Sequence, residues 1–545
     1  MLKKFITLIV ICLVLPGSVY AAQAPEGLES PLLSTNDVST WLCWQRPQKG
    51  DDVIYYNIYQ DGIKIGSTQT VINTFGTNAM KKFQKENPEL CEDLIIYHSY
   101  KVTGLKPEQE YSFSVRAVGK DGKESPDSNI LKIKTEKTPE IINAKNFGAV
   151  GDGKTVDTEA LQKAINATPE GGVLKISDGV FLSGALYLKS NMTLLIEKNA
   201  TLLAINEAEA YKMLTSGIYT TNRYNGLLNG VNIKNLRIVG EGTIDGNGWM
   251  KDGNGDYRKA GSKTRESDVR NYGILAKTQT LYLMEKEGRE FKKGYNGRGS
   301  TLTLDRTDNL YIEGLTMCNP SLHMIVIVGD NVTINNVNFL TFDANNGDVA
   351  DYTGRNYKVL NCYMDSGDDS VNFNAGIGEE AIGMQPVGNA WIFNNYTRHA
   401  HGGITLGSHT ASWIENILGE DNIYELTEVP FRCKTSEITG GGGRNVTFRN
   451  NVMKDILINA FLFTTNYTDI YAVGEFKATN AGIFYNMLVE DCNVQNTKKA
   501  TFKIEGMEIA KHHDITLRNV KIINGVDEEI KNAENITQEN VTYVK

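Results

Sequence analysis

One phrase recurs along most of this chain and restricts its fold more than any other feature. It reads "NMTLLIEKNATL" from Asn191, "NLYIEGLTM" from Asn309, "NVTINNVNF" from Asn331 and "NYKVLNCYM" from Asn356. It returns as "NAWIFNNYT" from Asn389, "NVTFRNNVM" from Asn445, "NMLVEDCNV" from Asn486, "DITLRNVKI" from Asp514 and "NITQENVTY" from Asn535. Each copy is a short β-forming run, an Asn- or Gly-rich corner, and a second short run. Most successive copies start about 21 to 41 residues apart. One such unit cannot bury its inward side chains alone, whereas stacked units close a shared core. The pattern predicts a solenoid of β-coils, roughly 4.8 Å apart along its axis. A propeller would require more regular four-stranded blades. Just upstream, Asp157 to Ala167 places Leu161, Ala164 and Ile165 on one helical face. That helix is expected to cap the otherwise open first coil.

The region before residue 140 has a different rhythm. From Ala24 to about Lys137, short alternating runs such as "STWLCWQRP", "YYNIYQDG", "SYKVTGL" and "EYSFSVRAVGKDG" are separated by turns at Asp61-Gly62 and Asp121-Gly122. Some seven short strands in this space predict a β-sandwich. The first residues, "MLKKFITLIVICLVLPGSVYA", combine Lys3 and Lys4 with an apolar run and a small-residue exit. They read as a signal peptide over residues 1–21, too short to span a membrane comfortably. The mature protein is therefore expected in the periplasm or outside the cell, without a membrane anchor. Beyond Cys12 there are six widely spaced cysteines, with no zinc-ligand spacing. Cys43 and Cys91 either pair or stay as buried thiols. The net charge of −9 argues against nucleic acid as partner.

Coil arithmetic then gathers chemistry. The stretch "CYMDSGDDSVNF" holds Asp365, Asp368 and Asp369, and Asp348 in "NNGDVAD" lies about one coil earlier, with Asp351 close behind. Later come His401 in "AHGG", then Arg432 and Lys434 in "FRCK", which two-residue strand periodicity points the same way. The result is a column of Asp, Asp-Asp, His and Arg-Lys on one face. Glycoside hydrolysis needs one carboxylic acid for the leaving oxygen and one carboxylate for water, roughly 6.5–9.5 Å apart in inverting enzymes. Crowded carboxylates resist ionising together, so one is expected to keep its proton. A neighbouring Arg and Lys suit a sugar carboxylate, which points to an acidic polysaccharide.

With those motifs in place, residues 141–545 resemble the polygalacturonases, the pectin-degrading glycoside hydrolase family 28. "NGDVAD", "SGDDS", "AHGG" and "FRCK" occur in that family's order, and "FGAVGDG" and "GTIDGNG" match its N-terminal coils. The resemblance implies an all-β fold, a right-handed parallel β-helix, and an inverting reaction on galacturonan. It implies Asp368 as general acid, Asp348 and Asp369 as groups that position and activate water, and His401 as support for the acid's protonation. Arg432 and Lys434 would hold the galacturonate carboxylate. No cofactor and no metal are implied, and the protein is expected to act as a monomer. Residues 24–137 resemble a fibronectin type III module, through Trp44, Tyr56 to Tyr59 and "GLKPEQEYSFSVRAV", and such modules serve as spacers, docking walls or accessories. "TFDANNGD", "GSHTASWIENI" and "GGGGRNVTFRNN" are similar to bacterial exo-poly-α-galacturonosidases, which release short units such as digalacturonate from the non-reducing end. Lys251 to Ser300, long, polar and without a coil phrase, is the expected wall that blocks one end of the groove. Val349, Ser370, Ala400 and Cys433 depart from the family pattern, and Val349 and Ala400 are expected to reshape the sugar pocket. The competing readings are an endo-polygalacturonase, a calcium-dependent pectate lyase with calcium held by the three aspartates, a hydrolase of rhamnose-containing pectin, and a non-catalytic glycan-binding solenoid.

Overall fold

The computed structural model describes residues 22–47, 53–70, 73–92, 94–214, 222–251, 265–342, 344, 346–467 and 480–545. The signal-peptide reading of residues 1–21 lies outside them. Between Ile141 and Val544 the described residues wind into a parallel β-helix of 33 strands. Neighbouring coils pair in parallel register, for example Tyr357 with Ala390 and Ala390 with Ile417. A hydrophobic column fills the inside from Leu174 through Ile238, Ile312, Ile334, Val359 and Ile417 to Leu517. Each such side chain contributes about 1.5–3 kcal/mol when buried.

The recurring asparagine has a mechanical role. Asn191, Asn309, Asn331, Asn356, Asn389, Asn445 and Asn486 all have positive φ, which asparagine tolerates better than most residues. Their side chains hydrogen-bond one coil to the next at 2.7–3.3 Å. Two rungs that the phrase pattern missed, Asn235 and Asn416, complete this ladder. The helix Thr158–Ala167 closes the first coil with Leu161, Ala164 and Ile165 in the core.

The N-terminal region forms two antiparallel sheets that hold seven strands. One comprises Glu26–Glu29, Ser39–Gln45 and Ser99–Thr103, and the other Ile63–Ser67, Val53–Gln60, Glu110–Gly119 and Leu131–Lys134. Trp44 packs edge-on against Tyr56 at 5.2 Å, and the Lys106 backbone N–H donates to the Tyr111 hydroxyl at 2.9 Å. That last bond is the tyrosine corner of such sandwiches. Inserted between strands are two helices that the strand rhythm did not predict, α1 (Phe75–Glu86) and α2 (Pro88–Cys91). They place Met80, Phe83, Leu90 and Cys91 against Tyr396, Ile423 and Val452 of the β-helix. Helix α3 (Thr158–Ala167) follows in the chain. Cys43, Cys91, Cys318, Cys362, Cys433 and Cys492 are all buried thiols with no disulfide among them, and Cys43 and Cys91 belong to different clusters.

Residues Lys251 to Ser300, in their described part, form three helices: α4 (Glu266–Tyr272), α5 (Leu275–Glu287) and α6 (Phe291–Asn296). Val269, Ala276 and Tyr295 pack on Trp249, Cys318 and Ala344.

Candidate active site

The site lies on the sheet formed by Ala350–Thr353, Val371–Phe373, Gly402–Leu406 and Val429–Lys434. Register does the assembling. The Val349 N–H donates to the Asp369 carbonyl, the His401 N–H to the Asp368 carbonyl, and the Val429 N–H to the His401 carbonyl. Asp348, Asp368–Asp369 and His401 thus enter their strands at equivalent heights. One carboxylate oxygen from each of Asp348, Asp368 and Asp369 lies within 4.8 Å of the others. All six residues singled out in the sequence meet here.

Their partners divide the roles. Asp369 is sealed from water, with Arg432 Nη1 at 2.9 Å and Lys434 Nζ at 2.8 Å. Asp368 faces His401 Nδ1 at 3.1 Å, and the other ring nitrogen faces Glu428 at 3.9 Å. Asp348 Oδ1 lies 2.8 Å from His323 Nδ1. The two cations expected to hold a substrate carboxylate therefore already grip a protein carboxylate. Tyr467 lies beside both, its ring centre 5.0 Å from Lys434 Nζ.

This geometry can be set beside known proteins. The model for Glycosyl hydrolases family 28 matches residues 284–542, and that for Rhamnogalacturonase A/epimerase, pectate lyase-like, matches residues 141–249. The Fibronectin type III domain model matches residues 23–134. The exo-poly-alpha-D-galacturonosidase of Dickeya chrysanthemi is 38% identical over 514 residues, which cover 90% of this chain and 85% of that protein. This chain is a family 28 glycosyl hydrolase. A family 28 exopolygalacturonase structure from Yersinia enterocolitica superposes with a TM-score of 0.90 at 34% identity, over 96% of each chain. The endo-polygalacturonase of Pectobacterium carotovorum subsp. carotovorum is 26% identical, over 69% of this chain and 86% of its own.

The hydrolase site departs from the sequence reading in where its proton sits and in how its acids are spaced. Burial, reinforced by Asp368 and Asp369, pushes the Asp348 carboxyl well above its usual range. Burial also raises Asp368, but His401 more than offsets this and holds it below the usual range. Burial acts on Asp369 too, yet Lys434 and Arg432 hold it lower still. His401 is pushed up to about 9, chiefly by Asp368. In the substrate-free hydrolase the crowded proton therefore belongs to Asp348, while His401 carries a proton beside Asp368. The nearest carboxylate oxygens are also closer than the roughly 6.5–9.5 Å general spacing for inversion.

Val349, Ala400, Cys433 and Ser370 are all buried, and Val349 and Cys433 join the core cluster. Val349 and Cys433 therefore help fill the inside of the coil. His323, Tyr467 and Glu428 escaped the sequence reading. His323 lies 25 residues before Asp348, one coil, so the same arithmetic reaches it. Tyr467 carries no motif.

Proposed function

We propose that this family 28 hydrolase cleaves α-1,4-linked polygalacturonate by exo attack from the non-reducing end, releasing short units such as digalacturonate. The observation that carries the reading is the meeting of Asp348, Asp368, Asp369 and His401 in one cleft beside Arg432 and Lys434. Asp368 serves as general acid. Substrate binding excludes water, which disfavours the charged Asp368, and the proton held on His401 is one hydrogen bond away. Asp348, poised by its raised pKa, and Asp369 hold the attacking water. Arg432 and Lys434 order Asp369 and present cationic charge to the uronate.

Exo action has two supports. The 38% identical relative and the full-length structural match both carry exo-acting names. The helical insertion also stands next to the acids: buried Arg298 donates to Asn346, two residues before Asp348, and Ser321 donates to Gln279 of α5. Helices α4 to α6 are the wall of the groove. Time-resolved product analysis on long oligogalacturonides tests this. One short product from the first minutes is expected, and an early ladder of sizes refutes exo attack. Proton NMR of the newly formed anomer tests inversion, and a retained α-anomer refutes it.

The calcium-dependent lyase reading fits the site less well. The three aspartates lie close enough to share an ion, but Asp369 already carries two cations that would repel one. Activity that survives a chelator, without an unsaturated ultraviolet-absorbing product, distinguishes hydrolase from lyase. No described helix is long and apolar enough to cross a membrane. Export through residues 1–21 and action as a monomer complete the proposal.

A further inference from the structure

A histidine outside the motif column touches the acid assigned to water. His323 precedes the strand Ile325–Asn335 and sits one coil before Asp348, because the Met324 N–H donates to the Asp348 carbonyl. Its Nδ1 is 2.8 Å from Asp348 Oδ1. Its Nε2 is 3.2 Å from Arg223 Nη1 and 3.6 Å from Asp351 Oδ2. A guanidinium has only donors, so the Nε2 facing it accepts. The neutral ring then carries its hydrogen on Nδ1, pointing at Asp348.

We infer that His323 is a positioning residue for the hydrolytic water: Arg223 fixes its tautomer, and its Nδ1–H holds Asp348 Oδ1, leaving the second oxygen for water. The inference rests on the reading that Asp348 activates water. Burial holds the His323 ring down to about 4, with Arg223 and Arg298 acting in the same direction and Asp351 and Asp368 against it. The ring is therefore neutral as pH rises past about 4. Asp348 is faced by Asp368 and Asp369, which disfavour its charge, and by Lys434, which favours it. A donated hydrogen bond is stronger to a carboxylate than to a carboxylic acid. His323 thus draws Asp348 toward the ionised form that a base requires, against its burial.

The experiment measures kcat and KM across pH on oligogalacturonides for the full chain and four variants, with thermal melts to check folding. His323→Ala is expected to lower kcat about tenfold or more, since general-base catalysis contributes about 10²–10⁴-fold, with KM changing less than about twofold. Its acid limb is expected to move to higher pH, because the ionised Asp348 has lost a donor. In His323→Asn the amide N–H replaces Nδ1–H, so kcat recovers in part and the limb returns. In His323→Gln the amide falls near the Nε2 position, so neither recovers. An unmoved acid limb in His323→Ala, or equal behaviour of the Asn and Gln variants, overturns the inference. If the Ala variant does not fold, the Asn and Gln pair alone decides. Asp348→Asn separates the two readings. Activity at the parent level in that variant refutes the role of Asp348, whereas its loss together with an unmoved limb in the His323 variants refutes only the role of His323.

Discussion

Asp369 is the most enclosed of the three acids and holds two cations at once. A buried carboxylate is tolerated only when paired, so the trio depends on Arg432 and Lys434 as much as on its own spacing. Lys434→Met should leave Asp369 short of one partner, raise its pKa, and lower kcat by at least about tenfold by removing charge from the reacting face. A pH-resolved kinetic series checks it. Asp368→Asn should lower kcat by about 10²–10⁴-fold with little change in KM, as expected for loss of a general acid. The pH profile follows from the shifts. In the proposed mechanism Asp348 acts ionised, and burial raises its pKa, so kcat/KM should fall on the acid side above the ordinary aspartate range. The proposed role of His401 requires its charged form, so activity should decline as pH rises through about 9, and His401→Ala should abolish that upper limb. The stability contributed by the His401–Asp368 pair has the same sign. It is full between the unfolded aspartate and histidine values of about 3.9 and about 6.5, is lost as pH rises through about 9, and is lost again as pH falls through the lowered Asp368 value.

At the scale of elements, the solenoid is held in register by its corners. Asn356 donates to Asn331 and accepts from Asn389, and it adopts a left-handed conformation. Asn356→Val should remove two hydrogen bonds and add left-handed strain, costing about 2–4 kcal/mol and read as a lower melting temperature. Asn356→Gly should be milder, because glycine tolerates that conformation. Helix α1 begins where Gly76 lies against the Asn361 and Cys362 backbone, and a Cβ there would stand 2.6 Å from both. The corner phrases made the coils legible because asparagine is spent on a backbone conformation that few residues adopt. Helices α1 and α2 were not legible. Their apolar side chains face the β-helix instead of their own module, so no local alternation announces them. The same holds for α4 to α6, whose buried residues meet Trp249, Cys318 and Ala344, far away in sequence.

At the scale of the whole molecule, the N-terminal module is a fixed part of the hydrolase. Arg46 reaches Asp421 at 2.9 Å, the Ile96 N–H donates to the same carboxylate, and His98 stacks on Phe393 at 4.4 Å. All of these side chains are buried. Asp421→Ala should cost about 3–5 kcal/mol, because it strands a buried guanidinium, and should appear as early unfolding in thermal melts. Removal of residues 24–137 should yield aggregated protein, since Trp391, Phe393, Tyr396 and Ile423 would lose their cover. The sequence by itself determined the coil, its capping helix, the sandwich beside it and the column of Asp348, Asp368, Asp369, His401, Arg432 and Lys434. It could do so because a parallel β-helix turns separation along the chain into height along one axis, so periodic arithmetic becomes geometry. Only the tertiary structure decided which acid holds which proton, that the cations grip Asp369, that His323 joins the site, and how the module docks. Those depend on burial and on contacts between distant segments, and neither has a period that a one-dimensional reading can detect.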